Sequence, residues 1–294
     1  VFVCSTGTIG TRLPLKIIAD ALPELVGALD AAGGGAAARA IMTTDTRPKE
    51  AAVEVSLGGR IVRIGGMAKG AGMIEPNMAT MLAFLTTDAA GERGALQKCF
   101  GTAVAVSFNR ITGDGDQSTN DTVLMLANGR AGGLPLDESS REWGVFASAV
   151  QTVAHRLAVL IVKDGEGATK FVTVSVRGAA SEDDARRAAR AVANSLLVKT
   201  SWFGEDPNWG RIIDAVGYSG AEIEESRINI MYDGLCAVRN GMWCPETSIE
   251  DLCKVLKGDE FEVAVELNLG TAGYSVYTCD CSTEYVRINS DYTS

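Results

Sequence analysis

Histidine is almost missing from this sequence: His155 is the only one in 294 residues. A Ser-His-Asp or Cys-His catalyst needs an imidazole beside its nucleophile. His155 falls inside the helical pattern Val150 to Val162, where it reads as an ordinary helix residue. One histidine and one close cysteine pair, Cys279 and Cys281, do not make a zinc site, so no metal is expected. The seven cysteines, Cys4, Cys99, Cys236, Cys244, Cys253, Cys279 and Cys281, are odd in number and scattered. In a chain too large to need covalent staples they are expected to be reduced thiols of an intracellular protein. Clustered positive charge is lacking as well. A formal net charge of -10 leaves no electrostatic footprint for nucleic acid. No run approaches the ~20 consecutive apolar residues of a membrane-spanning helix, so no membrane is expected either. Proline is sparse, 7 residues against 33 glycines, which excludes a Pro-rich linker and predicts tight turns and close backbone approaches instead. There is no internal repeat, and the only biased tract is the small-residue run Ala31 to Ala38. The first residues, Val1-Phe2-Val3-Cys4, read as a strand already under way, with neither initiator Met nor signal peptide. Residues upstream, and any targeting signal with them, are therefore expected to have been removed.

What is present is a hydrophobic content of 46%, enough for a packed core at this length. Leu13 to Asp30 carries apolar residues at helical spacing after the glycine turn Thr6-Gly7-Thr8-Ile9-Gly10. Ala40 to Thr44 and Ala52 to Ile64 read as strands, the latter a hairpin about Gly58-Gly59 because Val53, Val55 and Leu57 alternate before the turn and Val62 and Ile64 after it. Met81 to Thr87 is a short apolar run, Gly91 to Val106 a helix and Thr119 to Leu126 a strand. A long helix is predicted from Ser139 to about Val162, a strand over Lys170 to Val176, and a helix over Ser181 to Lys199 opened by the capping-type run Ser181-Glu182-Asp183-Asp184. Asn208 to Val216 is predicted helical, with strands near 228–232 and 261–268 and a terminal run through Val286. Interleaved strands and helices predict a layered α+β sandwich, divided into a main domain at 1–180 and a smaller C-terminal lobe at 181–294.

Without a usable histidine, a covalent catalyst must find its base elsewhere, and a threonine served by its own N-terminal amine is the compact alternative. The segment Gly65-Gly66-Met67-Ala68-Lys69-Gly70-Ala71-Gly72-Met73-Ile74-Glu75-Pro76-Asn77-Met78-Ala79-Thr80-Met81-Leu82 suits it. Four glycines in its first eight residues let backbone N–H groups converge, and Lys69 sets a cation among them, as an anionic carboxylate or oxyanion requires. On glycine content alone a tight structural loop explains the segment better than a binding site does.

This run resembles the self-processing motif of ornithine acetyltransferases (glutamate N-acetyltransferases), in which the Ala-Thr bond of Asn-Met-Ala-Thr-Met-Leu is cut. Cys4-Ser5-Thr6-Gly7 is similar to the family's oxyanion segment, and Thr43-Thr44-Asp45-Thr46 to an early substrate-contacting stretch. Ser107-Phe108-Asn109-Arg110-Ile111-Thr112 with Ser118-Thr119-Asn120-Asp121-Thr122 resembles a further signature. So do Lys163-Asp164-Gly165-Glu166-Gly167-Ala168-Thr169-Lys170, Asp206-Pro207-Asn208-Trp209-Gly210-Arg211 and Tyr285-Val286-Arg287-Ile288-Asn289. The blocks keep the family's order from residue 4 to residue 289. Gly113 and Gln117 stand where the family has bulkier or hydroxylated residues, and Cys281 where it has an apolar one. Members carry a further stretch before the oxyanion segment, so the chain is expected to be a fragment.

The resemblance implies an acyltransferase of arginine biosynthesis with a fold like that of self-processing N-terminal-nucleophile enzymes. Thr80 would cut the Ala79–Thr80 bond, become a new N-terminus and carry the acetyl group from N2-acetyl-L-ornithine to L-glutamate. Its α-amine, with a reference pKa of about 7.7–8.0, would be the base. Thr6 and Gly7 would form the oxyanion hole; Thr46, Lys69, Thr80, Glu166, Asn289 and Ser294, or else Thr293, would contact substrate. Lys69 suits an α-carboxylate and Glu166 the side-chain ammonium of ornithine. Trp209 and Arg211 are expected to pin the C-terminal lobe. No cofactor is implied, with acetyl-CoA open as a co-substrate. The chains left by cleavage are expected to assemble as a heterotetramer, in the cytoplasm of a prokaryote or the chloroplast or mitochondrion of a eukaryote. Two rivals differ in chemistry: a self-processing threonine amidohydrolase or aminopeptidase that hands its acyl group to water, and an uncut chain that only binds amino acids or a partner.

Overall fold

Two glycines set the first hairpin. Gly58 and Gly59 adopt φ of +56° and +79°, the left-handed conformation at both central positions that a two-residue turn matching strand twist demands. They join β1 (Lys49–Leu57) to β2 (Arg60–Lys69), with Leu57 opposite Arg60 and Lys49 opposite Ala68. β3 (Leu82–Thr87) runs antiparallel to β2, Lys69 opposite Leu82. β4 (Thr122–Ala127) is parallel to β3, so the chain between them must cross over, and it does so through a helix at Arg93–Ala105. The computed structural model describes residues 2–75, 81–117 and 120–291.

Two short helices precede this sheet, α1 (Leu15–Gly27) and α2 (Gly34–Ala40), and the crossover helix is α3. The predicted strand at 40–44 is absent, and Phe2–Cys4 is not a strand either. In the first case carboxylates take the hydrogen bonds that a ladder would have used: Thr43 N–H donates to Asp45 Oδ2 at 2.9 Å and Thr46 N–H to Asp164 Oδ2 at 3.1 Å.

α4 (Trp143–Lys163) buries Phe146, Ala149, Val150, Val153, Ala154, Leu157, Ala158, Ile161 and Val162, a stripe of three-and-four spacing that makes one continuous apolar face. Though long and apolar enough to cross a membrane, α4 is a core helix, since this stripe packs on β1, β2 and α3. Its other side meets a second sheet: His155 lies edge-on to Tyr277 with ring centroids 5.1 Å apart. That sheet has six strands in the order β10-β5-β9-β6-β7-β8, namely β5 (Phe171–Ala179), β6 (Asn229–Tyr232), β7 (Leu235–Arg239), β8 (Met242–Trp243), β9 (Glu260–Glu266) and β10 (Ala272–Cys279). All its pairings are antiparallel except β5 with β9. Alternate residues sort the two faces of β5: Val172, Val174 and Val176 join the core under α5 (Glu182–Asn194), while Phe171 turns toward α4. The layers therefore run sheet, helices, sheet, helices, the α+β sandwich that the element order predicts.

The predicted helix over 181–199 is two helices. Ser195 leaves helical geometry (φ -67°, ψ 114°) and its hydroxyl accepts the Val198 N–H, capping α6 (Leu196–Phe203). α7 (Trp209–Gly217) follows, and Trp209 stacks on Trp243 at 4.4 Å, joining that helix to β8. α8 (Ile249–Leu256) covers β9, and the terminal run is β10 followed by α9 (Thr283–Asp291). Residues 171–179, on the N-terminal side of the expected division at 180, are a strand of the six-stranded sheet.

Gly66 of β2 is tightly enclosed by β3 of its own sheet and by α4. A Cβ there would lie 2.8 Å from the Phe84 carbonyl oxygen and 3.0 Å from Leu157 Cδ1. The backbone atom cannot yield, so Gly66→Ala is expected to destabilise the protein by about 1–3 kcal/mol, read as a lower urea midpoint with unchanged slope.

Candidate active site

The hairpin carries two lysines to one end of the sheet, Lys49 opening β1 and Lys69 closing β2, with 0% and 1% of their surface exposed. A buried ammonium is tolerated only when charge and hydrogen bonds surround it. Lys49 Nζ bridges Asp45 Oδ1 and Asp164 Oδ2, the latter at 2.5 Å. Asp164 also accepts the Thr46 hydroxyl and its N–H, which ties the Thr43–Thr46 stretch to the turn that carries Glu166. Burial pushes the Asp45 carboxyl up, but hydrogen bonds from Gly70 N–H at 2.7 Å, Lys49 and Thr43 outweigh it and hold Asp45 below the ordinary carboxylate range.

Lys69 Nζ donates to Thr6 Oγ1 at 3.0 Å, bringing the Cys4–Gly7 segment to the end of β2. Burial lowers the Lys69 pKa, nearby Lys49 adds to the effect, and Asp45 and Asp121 oppose it. Asp121, just before β4, accepts the Met81 N–H at 2.6 Å. Burial raises its pKa to about 6 against the pull of that N–H and of Lys69. Gly7, beside Thr6, is exposed.

Glu166, in the turn after α4, packs against the loop that follows Lys69. Its N–H donates to the Ala71 carbonyl at 3.2 Å, and a Cβ on Gly72 would sit 2.5 Å from its carboxyl atoms. Asn289, on α9, donates from Nδ2 to Glu166 Oε2 at 2.8 Å. The α9 segment is brought here by Gly167, whose φ of +67° and missing Cβ let the Tyr285 backbone approach. A small cavity beside Glu166 is lined by Ala71, Asp114, Tyr285 and Lys199.

The end of that loop is held across the layers. Asp114 accepts from Met73 N–H at 2.7 Å and Ile74 N–H at 2.9 Å. Glu75 is 8% exposed and pairs with Arg190 of α5, whose Nη2 also donates to the Asn109 carbonyl at 3.0 Å.

Of the residues singled out from the sequence, the fold gathers Thr6 with Lys69, Thr46 with Asp164, and Glu166 with Asn289 into one region around the 70–75 loop. Ala79, Thr80, Thr293 and Ser294 lie outside the described residues. His155 is half-buried against Tyr277 on α4, and burial lowers its pKa. Asp45, Lys49, Asp114, Asp164 and the Glu75–Arg190 pair escaped the sequence-based selection, although all but Lys49, Asp114 and Arg190 stand inside blocks it quoted.

Comparison with known proteins agrees along the whole length. Residues 1–294 match the ArgJ family. The chain is 52% identical over 292 residues to the arginine biosynthesis bifunctional protein ArgJ of Geobacter sulfurreducens, covering 99% of this chain and 74% of that one. It is 46% identical over 304 residues to the glutamate N-acetyltransferase of Methanocaldococcus jannaschii, covering 100% and 75%. The crystal structure of the arginine biosynthesis bifunctional protein ArgJ from Bacillus halodurans superposes with a TM-score of 0.68 at 40% identity, over 71% of this chain and 98% of the other. With ordered motifs, layered fold and end-to-end identity in agreement, this chain belongs to the ArgJ family.

Proposed function

We propose that this chain is a glutamate N-acetyltransferase of arginine biosynthesis, moving an acetyl group from N2-acetyl-L-ornithine to L-glutamate through Thr80 after cutting itself between Ala79 and Thr80. The observation that carries this reading is Lys69. A buried ammonium closes β2, holds the Thr6 hydroxyl, and stands next to the strand that continues from Thr80.

In the cleavage step Thr80 Oγ attacks the Ala79 carbonyl carbon, the C–N bond breaks as the C–O bond forms, and water then hydrolyses the ester. Ala79 ends as a carboxylate and Thr80 gains a free α-amine. In transfer that amine takes the Thr80 hydroxyl proton as Oγ attacks the acetyl carbonyl, and returns it to the departing ornithine nitrogen. Glutamate's amine then attacks the acetyl ester and regenerates Thr80. Because Lys69 donates to Thr6 Oγ1, the hydroxyl hydrogen of Thr6 is free to bind the tetrahedral oxyanion together with the Gly7 N–H. A single donor of this kind is worth about 3–4 kcal/mol.

Lys69 receives the α-carboxylate, and Glu166, oriented by Asn289, receives the ornithine ammonium. The Thr46 hydroxyl already donates to Asp164, so Thr46 meets substrate as an acceptor. Ser294 is the remaining contact, and the C-terminal segment 181–294 completes the site through Asn289 and that residue. No bound cofactor is part of the proposal, and acetyl-CoA stays open as a co-substrate.

The cut chains stay together because β2 precedes the bond and β3 follows it, and the two strands are hydrogen-bonded from Ile64–Thr87 to Lys69–Leu82. Further pairing to a heterotetramer is part of the proposal. The compartment proposed is intracellular: cytoplasm in a prokaryote, chloroplast or mitochondrion in a eukaryote.

Thr80→Ala is expected to leave one uncut 30.8 kDa chain by intact-mass measurement and to abolish N-acetylglutamate formation from N-acetylornithine and glutamate. Normal cutting in that variant would refute the nucleophile, and acetate as the sole acetyl product of the native protein would mark a hydrolase. Lys69→Ala is expected to raise KM for N-acetylornithine by roughly ten-fold or more with a smaller effect on kcat. A charge-assisted hydrogen bond worth about 1.5–3 kcal/mol is lost from ground and transition state alike.

A further inference from the structure

Asp121 belongs to the Asn120-Asp121-Thr122 run, which none of the proposed chemical steps uses. It lies where β4 begins beside β3, and its carboxyl accepts the Met81 N–H at 2.6 Å while Thr122 N–H donates to the Met81 carbonyl at 3.1 Å. Met81 is thus held at both of its polar backbone groups by consecutive residues of one neighbouring segment. Among the described residues, the charge that faces Asp121 is Lys69 on β2, with Asp45 and Lys49 beyond that lysine; from β3 it meets only the Met81 main chain.

A trans peptide unit is planar, so a residue whose N–H is held leaves the residue before it rotation about few main-chain bonds. Newly made chain ends fray unless they are tied down. An N-terminal nucleophile that must also be its own base cannot tolerate fraying, since a misplacement of about 1 Å can cost about 10²-fold in rate.

We propose that Asp121 is a positioning residue for the nucleophile: by accepting the Met81 N–H beside the buried Lys69, it anchors the residue that follows Thr80 and so restricts the orientations open to the new terminus. The inference rests on the Thr80 reading. It adds a second duty for the same carboxylate, because an anion here supports the Lys69 ammonium. As the pH falls through about 6, Asp121 takes a proton, its grip on the Met81 N–H weakens and Lys69 loses that support.

The test is the pH profile of kcat/KM for acetyl transfer in the native enzyme, Asp121→Asn and Asp121→Ala, with intact mass giving the cut fraction so that kcat refers to processed chains. The native enzyme is expected to show a second acid limb near pH 6, below the one set by its α-amine base. Asp121→Asn keeps an acceptor for Met81 but no charge. It is expected to lose that limb and to move the alkaline limb, on which Lys69 deprotonates, to lower pH. Asp121→Ala is expected to lower kcat by roughly 10²-fold, with KM for N-acetylornithine changed much less. Native limbs in the asparagine variant overturn the proposal, as does a near-native kcat in the alanine variant. If the alanine variant does not fold, the isosteric asparagine profile decides alone. Thr80→Ala run alongside separates the two failures. If it is inert while both Asp121 variants behave as native, only the role of Asp121 falls; if it is active, the nucleophile itself is misassigned.

Discussion

Burying two ammonium groups at one end of one hairpin is the constraint from which the rest of the site follows. An unpaired buried charge is far too costly to keep, so the chain must bring carboxylates to Lys49 and Lys69 from wherever they lie in the sequence. Asp45 comes from the loop before β1 and Asp164 from the end of α4. Asp121 comes from the start of β4 and sets its charge toward Lys69. Each arrival carries a stretch of chain with it. Asp45 and Asp164 deliver Thr46 and, two residues on, Glu166; Lys69 itself draws in Thr6. The candidate site residues are gathered as the flanks of an electrostatic solution to a folding problem.

The same economy governs the loop between β2 and β3. Ahead of it, Asp114 holds two backbone N–H groups, and Glu75 is clamped to Arg190 of a helix in the outermost layer. Behind it, Met81 is held by Asp121 and Thr122. The anchoring carboxylates belong to separate elements, so the geometry is complete only when both sheets and the helices between them are packed.

Much of this was legible in one dimension. The alternation of β1 and β2 and the Gly58-Gly59 turn predict the hairpin, and the three-and-four spacing of α4 predicts a buried helix. The resemblance of seven ordered blocks predicts which side chains share a site, and Lys69 with Thr6 and Glu166 with Asn289 do meet. Misjudged segments have local causes. Thr43 to Thr46 spends its N–H groups on carboxylates, one of them 118 residues away. Ser195 caps a new helix in the middle of an unbroken helical pattern.

Residue type, order and periodicity by themselves determined the family and the layered α+β class, because each depends on near neighbours or on a run of motifs read in order. The tertiary structure alone decided which ionisable groups pair and in what state. The burial of Lys69, the raised carboxyl of Asp121 and the Lys49 bridge between Asp45 and Asp164 depend on desolvation and on partners distant in the chain, and neither has a local signature in the sequence.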